Sequence, residues 1–294
     1  MKRFAIVLCC GLALLTTSCG SRRSRIVIGS KNLTEQLILG ELLAQQLEHQ
    51  TGLPVERRFY LAGTYICQQA LLAGRIDMYV EYTGTALTAI LKEKPSSDHK
   101  DVYERVRQGY ARQFGLAVGE PLGFDNTFAI VIRGEDARRL NLRTISQAAP
   151  YAPQWRPGFG YEFMERPDGY EGLARTYGLR FGAPPRIMDL GLLYRALQGK
   201  EVDIVAGSAT DGLISALGFV VLEDDRHYFP PYDAVPIVRE QVLREHPEVR
   251  TALAALAGKI TEEDMRRMNY AVDGEHRDAT QVVAEFLREK KVSP

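Results

Sequence analysis

Three short stretches of the chain set aromatic rings beside small polar residues. Tyr82 precedes Thr83-Gly84-Thr85, and Phe128 follows Asn126-Thr127. Tyr228-Phe229-Pro230-Pro231-Tyr232 leads into Asp233. These rings stand at the ends of elements rather than inside apolar stripes. A ring face attracts a cation, and a cage of such faces can hold a quaternary ammonium, which has no N–H to donate. Each face contributes about 0.5–2 kcal/mol, depending on desolvation. A carboxylate at the far end of such a molecule needs hydroxyl, amide or backbone N–H donors, best supplied at a helix N-terminus. Gln36 and Thr85 are of that type. Taken singly, any one of these tyrosines is better explained by core or hinge packing.

Catalytic and metal-binding patterns do not emerge. The five histidines, His49, His99, His227, His246 and His276, are scattered, with no pair at metal-ligand spacing. The chain has no GxSxG elbow, phosphate loop or paired CxxC. Glu223-Asp224-Asp225 is an acidic cluster, expected to be a solvated turn or to pair with Arg226. The reading is a binding protein with no catalytic residues, no metal and no cofactor. The alternatives are an enzyme on the same fold, for which Cys67 is the only thiol available, and a ligand-sensing module.

The rings need a scaffold, and hydrophobic periodicity supplies one. Arg25–Ile28, Val55–Leu61 and Ile76–Val80 read as strands. Between the first two, Leu39, Leu43 and Leu47 repeat at helical spacing. Asn32 with Glu35 reads as the capping box that starts this helix, and Gly52 with Pro54 ends it. Gly63-Thr64 opens a second helix that stops near Gly74. Alternating strands and helices imply a parallel α/β architecture. A second set follows: strands at Phe128–Ile132, Val202–Ala206 and Phe219–Leu222, and helices near Tyr170–Tyr177 and Leu190–Gln198. The stretch from about Gln241 to Lys291 is mostly helical by pattern. Residues 69–85 and 195–212 resemble each other: helix, glycine, short strand with an aspartate, polar loop. Tyr82 comes five residues after Asp77, and Ser208 five after Asp203. Two such strand ends facing one another make a cleft, where open α/β sheets bind ligands.

Charge is balanced at 37 basic and 37 acidic residues, so nucleic-acid binding has no electrostatic support. The N-terminus is a targeting pattern: Lys2 and Arg3, an apolar run from Phe4 to Leu15, then Thr16-Thr17-Ser18-Cys19. This matches a lipoprotein signal over 1–18, with acylated Cys19 opening a tether over 19–24. Leu15 lies one place further from the cysteine than the usual pattern has it. With Cys9 and Cys10 removed and Cys19 acylated, Cys67 is left as a single buried thiol, and no disulfide framework is possible within one chain.

Longer stretches carry a family resemblance: GSKNLTEQLILGELLAQQLE, LAGT, GRIDMYVEYTGTAL, DNTFAIVI, RPDGYEGL, MDLGLLYRAL, VDIVAGSATDG and LEDDRHYFPPYDAVPIVR. In this order, over nearly the whole chain from Ile26, they resemble the osmoprotectant substrate-binding proteins of ABC transporters (glycine betaine, carnitine and choline). The resemblance implies an α/β, two-lobed type II periplasmic-binding-protein fold with the ligand in the inter-lobe cleft. It implies lobe one at 25–125 plus 236–294 and lobe two at 126–235. It also implies a monomer that hands its solute to an ABC permease and its ATPase. Carried over by motif, the tyrosine cage of the family falls on Tyr82, Phe128, Ser208 and Tyr232, and the carboxylate side on Gln36 and Thr85. Asp211 matches a loop aspartate of the cleft. Phe128 keeps a ring face where the family usually has tyrosine. Ser208 removes one wall, which implies either a substitute ring from Tyr161, Tyr170 or Tyr65, or a larger betaine such as ergothioneine.

Overall fold

The structure is a computed structural model that describes residues 25–292. The expected signal, tether and Cys19 lie outside the described residues. Ten strands form two five-stranded sheets. The first contains β1 (Ile26–Lys31), β2 (Val55–Ala62), β3 (Met78–Tyr82), β4 (Leu116–Val118) and β10 (Ala234–Arg239), in the order β2-β1-β3-β10-β4. The second contains β5 (Phe128–Arg133), β6 (Pro157–Phe159), β7 (Arg186–Ile187), β8 (Ile204–Ser208) and β9 (Phe219–Leu222), in the order β7-β6-β8-β5-β9. In each sheet one strand runs antiparallel to its two neighbours: β10 between β3 and β4, β5 between β8 and β9. The chain passes between the sheets twice, over residues 119–127 and 223–233. These two connections pair through a bridge between Asp125 and Asp233.

Both faces of each sheet are covered. Along β5, Ile130 and Ile132 belong to one buried cluster and Ala129 and Val131 to another, the period-two alternation of a strand with helices on both sides. Met78, Val80 and Tyr82 alternate in the same way with Tyr79.

The similarity between residues 69–85 and 195–212 is structural. Asp77 accepts the Val27 N–H of the neighbouring parallel strand at 2.8 Å and pairs with Arg239 of β10 at 3.1 Å. Asp203 accepts the Arg156 N–H just before β6 at 3.0 Å and pairs with Arg133 of β5 at 2.6 Å. Each aspartate ties down the start of its strand from both sides. Strands β3 and β8 therefore begin two residues later than the apolar pattern suggests, because Ile76 and Val202 precede an anchoring aspartate.

Helix α1 (Thr34–Thr51) ends at Gly52 as expected, in the left-handed region (φ 66°) with its N–H on the Glu48 carbonyl. Its start differs from the capping-box reading. Leu33 is the N-cap residue, with no side-chain cap bond, and Glu35 turns into the interior, where it is 3% exposed. Four buried donors surround its carboxylate, and they compete better for it than a solvated backbone N–H. Helix α2 (Thr64–Leu72) starts from Gly63 as read. The acidic cluster takes the solvated-turn form of the two expected, with Glu223 and Asp225 exposed. Arg226 bonds the Ser146 hydroxyl and the Thr176 carbonyl rather than a neighbouring carboxylate. Asp224 accepts the Tyr177 hydroxyl and the backbone N–H groups of Tyr228 and Phe229, and so shapes the turn that leads to Tyr232.

Candidate functional site

A cavity of about 410 Å³ lies between the two sheets. It is within the range of small-molecule sites, about 300–1,000 Å³. The carboxyl ends of β1, β3 and β8 reach it through Lys31, Tyr82 and Ser208, and the start of β5 through Phe128. Tyr82, Thr85, Phe128, Ser208 and Tyr232 all line it. Gln36 does not. It is buried near the Tyr82 phenol, with neither amide atom in a well-formed hydrogen bond. Of the three substitute rings, only Tyr161 reaches the cavity. It stands at the rim, 64% exposed. Tyr170 packs on Phe159 and Phe181, and Tyr65 lies under Lys92. Asp211 lines the cavity, and burial pushes its carboxyl up to about 7.

The rings form a connected group. Phe128 lies 5.6 Å from Tyr232 in edge-to-face contact and 4.8 Å from Phe163. Two protein cations lie over these faces. The Arg166 guanidinium is 4.9 Å from the Phe128 ring centre and 5.7 Å from that of Tyr232, and the Lys31 ammonium is 4.6 Å from Tyr82.

Both cations are buried, and both are paired. Arg166 donates to both carboxylate oxygens of Asp168, at 2.9 and 2.5 Å, and to the Thr85 hydroxyl at 2.9 Å. The Tyr232 hydroxyl donates to the same Asp168 at 2.6 Å. Burial works against the Asp168 charge, but the adjacent guanidinium outweighs it and holds the carboxyl below its ordinary range. Lys31 pairs with Glu81 at 2.5 Å and donates to Thr64 at 3.3 Å. The acids of the lining itself, Glu162, Asp189 and Asp211, make no ion pair among the described residues.

Ser208 does not leave an idle hydroxyl. It donates to the Asn126 side-chain carbonyl, and the Asn126 amide donates to Glu35 at 2.6 Å. The Tyr82 hydroxyl donates to the same Glu35 oxygen at 2.5 Å. Burial, outweighing these bonds, raises the Glu35 carboxyl above its ordinary range.

Nothing in this arrangement is an activated nucleophile. Cys67 lies outside the lining, 0% exposed, with its thiol pushed up to about 12 by burial. Among the described residues no group of acids, histidines or cysteines could hold a metal, and no helix is long and apolar enough to cross a membrane.

The sequence reading did not single out Lys31, Arg166, Asp168, Asn126 or Glu81. Each lies inside a stretch that carried the resemblance, and the available signal was a charge or amide next to a ring motif: Arg166 and Asp168 in RPDGY, Asn126 in DNTF.

Comparison with known proteins agrees over most of the chain. A family described as the substrate-binding domain of ABC-type glycine betaine transport systems matches residues 24–289. A carnitine transport binding protein of Listeria monocytogenes is 34% identical over 273 residues, which is 92% of this chain and 88% of that one. An ergothioneine transport permease/ergothioneine binding protein of Helicobacter pylori is 33% identical over 263 residues, 89% of this chain and 47% of that one. A crystal structure described as a glycine betaine/carnitine/choline ABC transporter superposes with a TM-score of 0.76 at 35% identity. It covers 92% of this chain and 100% of the other.

Proposed function

Because the chain belongs to the family of substrate-binding domains of ABC-type glycine betaine transport systems, we propose that it captures a quaternary-amine solute of the glycine betaine, carnitine or choline class in its inter-lobe cavity. Members of this family are the binding, non-catalytic components of ABC importers. They act outside the cytoplasm and deliver solute to a permease and its ATPase.

The observation that carries the reading is the meeting of three ring faces, Tyr82, Phe128 and Tyr232, with the Arg166–Thr85 pair in one cavity. A trimethylammonium group cannot use hydrogen-bond acceptors by donation, so ring faces are its natural partners. The protein cations over those rings are neutralised by Asp168 and Glu81, and Glu162 and Asp189 of the lining leave the balance negative. A solute carboxylate finds the guanidinium of Arg166, the ammonium of Lys31 and the Thr85 hydroxyl. A zwitterion is thus favoured over choline, which lacks the anionic end.

A second reading has its own support. The small Ser208 and the volume of the cavity favour a larger betaine with a ring, such as ergothioneine, over glycine betaine. That solute has eight heavy atoms, about 240 Å³ even at the ~30 Å³ a water molecule takes. Calorimetric titration with glycine betaine, carnitine, choline and ergothioneine at one salt concentration separates the readings. Tight binding of glycine betaine or carnitine supports the first, and binding of ergothioneine alone supports the second. No heat from any of the four overturns both. We further propose that Cys19 carries lipid and that the protein is a monomer. Mass spectrometry of the membrane-extracted chain and its hydrodynamic radius test these two points.

A further inference from the structure

We propose that Glu35 is the latch that fastens the two lobes together over the cavity, a positioning residue whose carboxylate sets the Tyr82 wall and the loop after β8 at once. The proposal rests on geometry and goes beyond the identity of the solute, which enters only in the choice of probe. Glu35 stands in the first turn of α1, on the first-sheet side, and does not line the cavity. One carboxylate oxygen accepts from the Tyr82 hydroxyl and the Asn126 amide, at 2.5 and 2.6 Å. The other accepts from the Thr210 hydroxyl and from the Asn269 amide at 3.0 Å. Tyr82 and Asn269 belong to the first-sheet half, Asn126 to the connection between the sheets, and Thr210 to the loop that follows β8 in the second-sheet half.

That loop is the one that carries Ser208 and Asp211 into the cavity. Further bonds hold it to the Glu262–Asp273 helix, which packs on α1: the Asn269 amide donates to the Thr210 carbonyl at 2.8 Å, and Arg266 to the Ala209 carbonyl at 3.2 Å. Gly212 permits this approach, since a Cβ there would lie 2.6 Å from the Tyr270 backbone nitrogen. Thr210 and Glu35 are 0% and 3% exposed, so their bond is made away from water, where a hydrogen bond to a carboxylate is strong. Opening the cleft separates Thr210 from Glu35, and closing it restores the bond. Retention of the solute therefore depends on a group the solute does not touch.

Two variants test this from different sides. Thr210→Val removes the hydroxyl at constant shape, and Gly212→Ala wedges the loop away from Tyr270 without altering any donor. Glycine betaine release is followed by rapid filtration, and the radius of gyration of the unliganded protein by small-angle scattering. We expect both variants to release glycine betaine faster, by tenfold or more, with association little changed. The unliganded variants should be measurably more extended, and Thr210→Ser should return both quantities to wild-type values. Wild-type release and radius in Thr210→Val overturn the latch, as does failure of Thr210→Ser to restore them. If glycine betaine binds none of the proteins, glycine betaine is excluded as the solute, and the radius of gyration still decides the latch.

Discussion

Tyr82 and Ser208 hold equivalent places in the two halves of the molecule. Each ends a strand five residues after its anchoring aspartate, and each pairs with the first residue of the antiparallel strand beside it, Ala234 and Phe128 respectively. One place carries a ring and the other a hydroxyl committed to Asn126. The cavity is therefore lined by an asymmetric filling of a nearly symmetric frame.

Ser208→Tyr should complete the wall opposite Phe128. A further ring face gives about 0.5–2 kcal/mol toward a cation, so affinity for glycine betaine should rise about two- to thirtyfold while a bulkier betaine loses affinity. Calorimetry on both ligands checks this. An unchanged glycine betaine affinity would show that position 208 does not face the ammonium.

Arg166→Met leaves Asp168 buried without its cation. The expected loss of stability is about 3–5 kcal/mol by urea unfolding, together with loss of solute binding. Adding Asp168→Leu should recover much of the stability and none of the binding. Arg166→Lys should fold but bind weakly, because an ammonium cannot span Asp168 and Thr85 as the planar guanidinium does.

Asp211 gives stability a pH dependence of definite sign. Burial holds its folded carboxyl at about 7 against an ordinary 3.8, so its favourable contribution is complete below about 4 and is lost as pH rises through about 7. Asp211→Asn should make the fall in stability between these values shallower. Asp125, pushed up to about 6 by burial, acts with the same sign, so some slope remains. Urea midpoints at pH 5 and pH 8 give the comparison, and an identical slope in the variant would refute this assignment.

Asp203 acts in the opposite sense. Burial opposes its charge, but hydrogen bonds from Arg156 and Arg133 lower it to about 2. Its contribution is present above its ordinary value of 3.8 and is lost as pH falls through about 2. Asp203→Asn should thus be less stable than wild type at pH 7, with the difference closing in strong acid. Thermal melts across that range measure it.

Cys67 should resist thiol reagents in the folded protein and react once the chain is unfolded in urea, since its thiol is buried and pushed up to about 12. Cys67→Ser should leave solute binding unchanged. A folded-state reaction at the rate of a free thiol would contradict the burial.

The sequence by itself determined what is local. Continuous apolar runs made strands of Phe128–Arg133 and Phe219–Leu222, and Gly52 and Gly63 bounded helices where their backbone freedom and lack of a side chain suit an end. The ring motifs around Tyr82, Phe128 and Tyr232 were legible because each stands in a contiguous signature. Tertiary structure decided which distant groups meet. Glu35 and Thr210 are 175 residues apart in the chain, and Arg166 and Thr85 are 81 apart. A glutamate three residues after an asparagine fits a capping box and a buried acceptor equally well on local grounds. Only the donors brought in by Tyr82, Asn126, Thr210 and Asn269 select between them. The same reason separates Gln36 from the cavity: one residue along a helix turns a side chain by about 100°, and local pattern does not say which direction the cleft will lie.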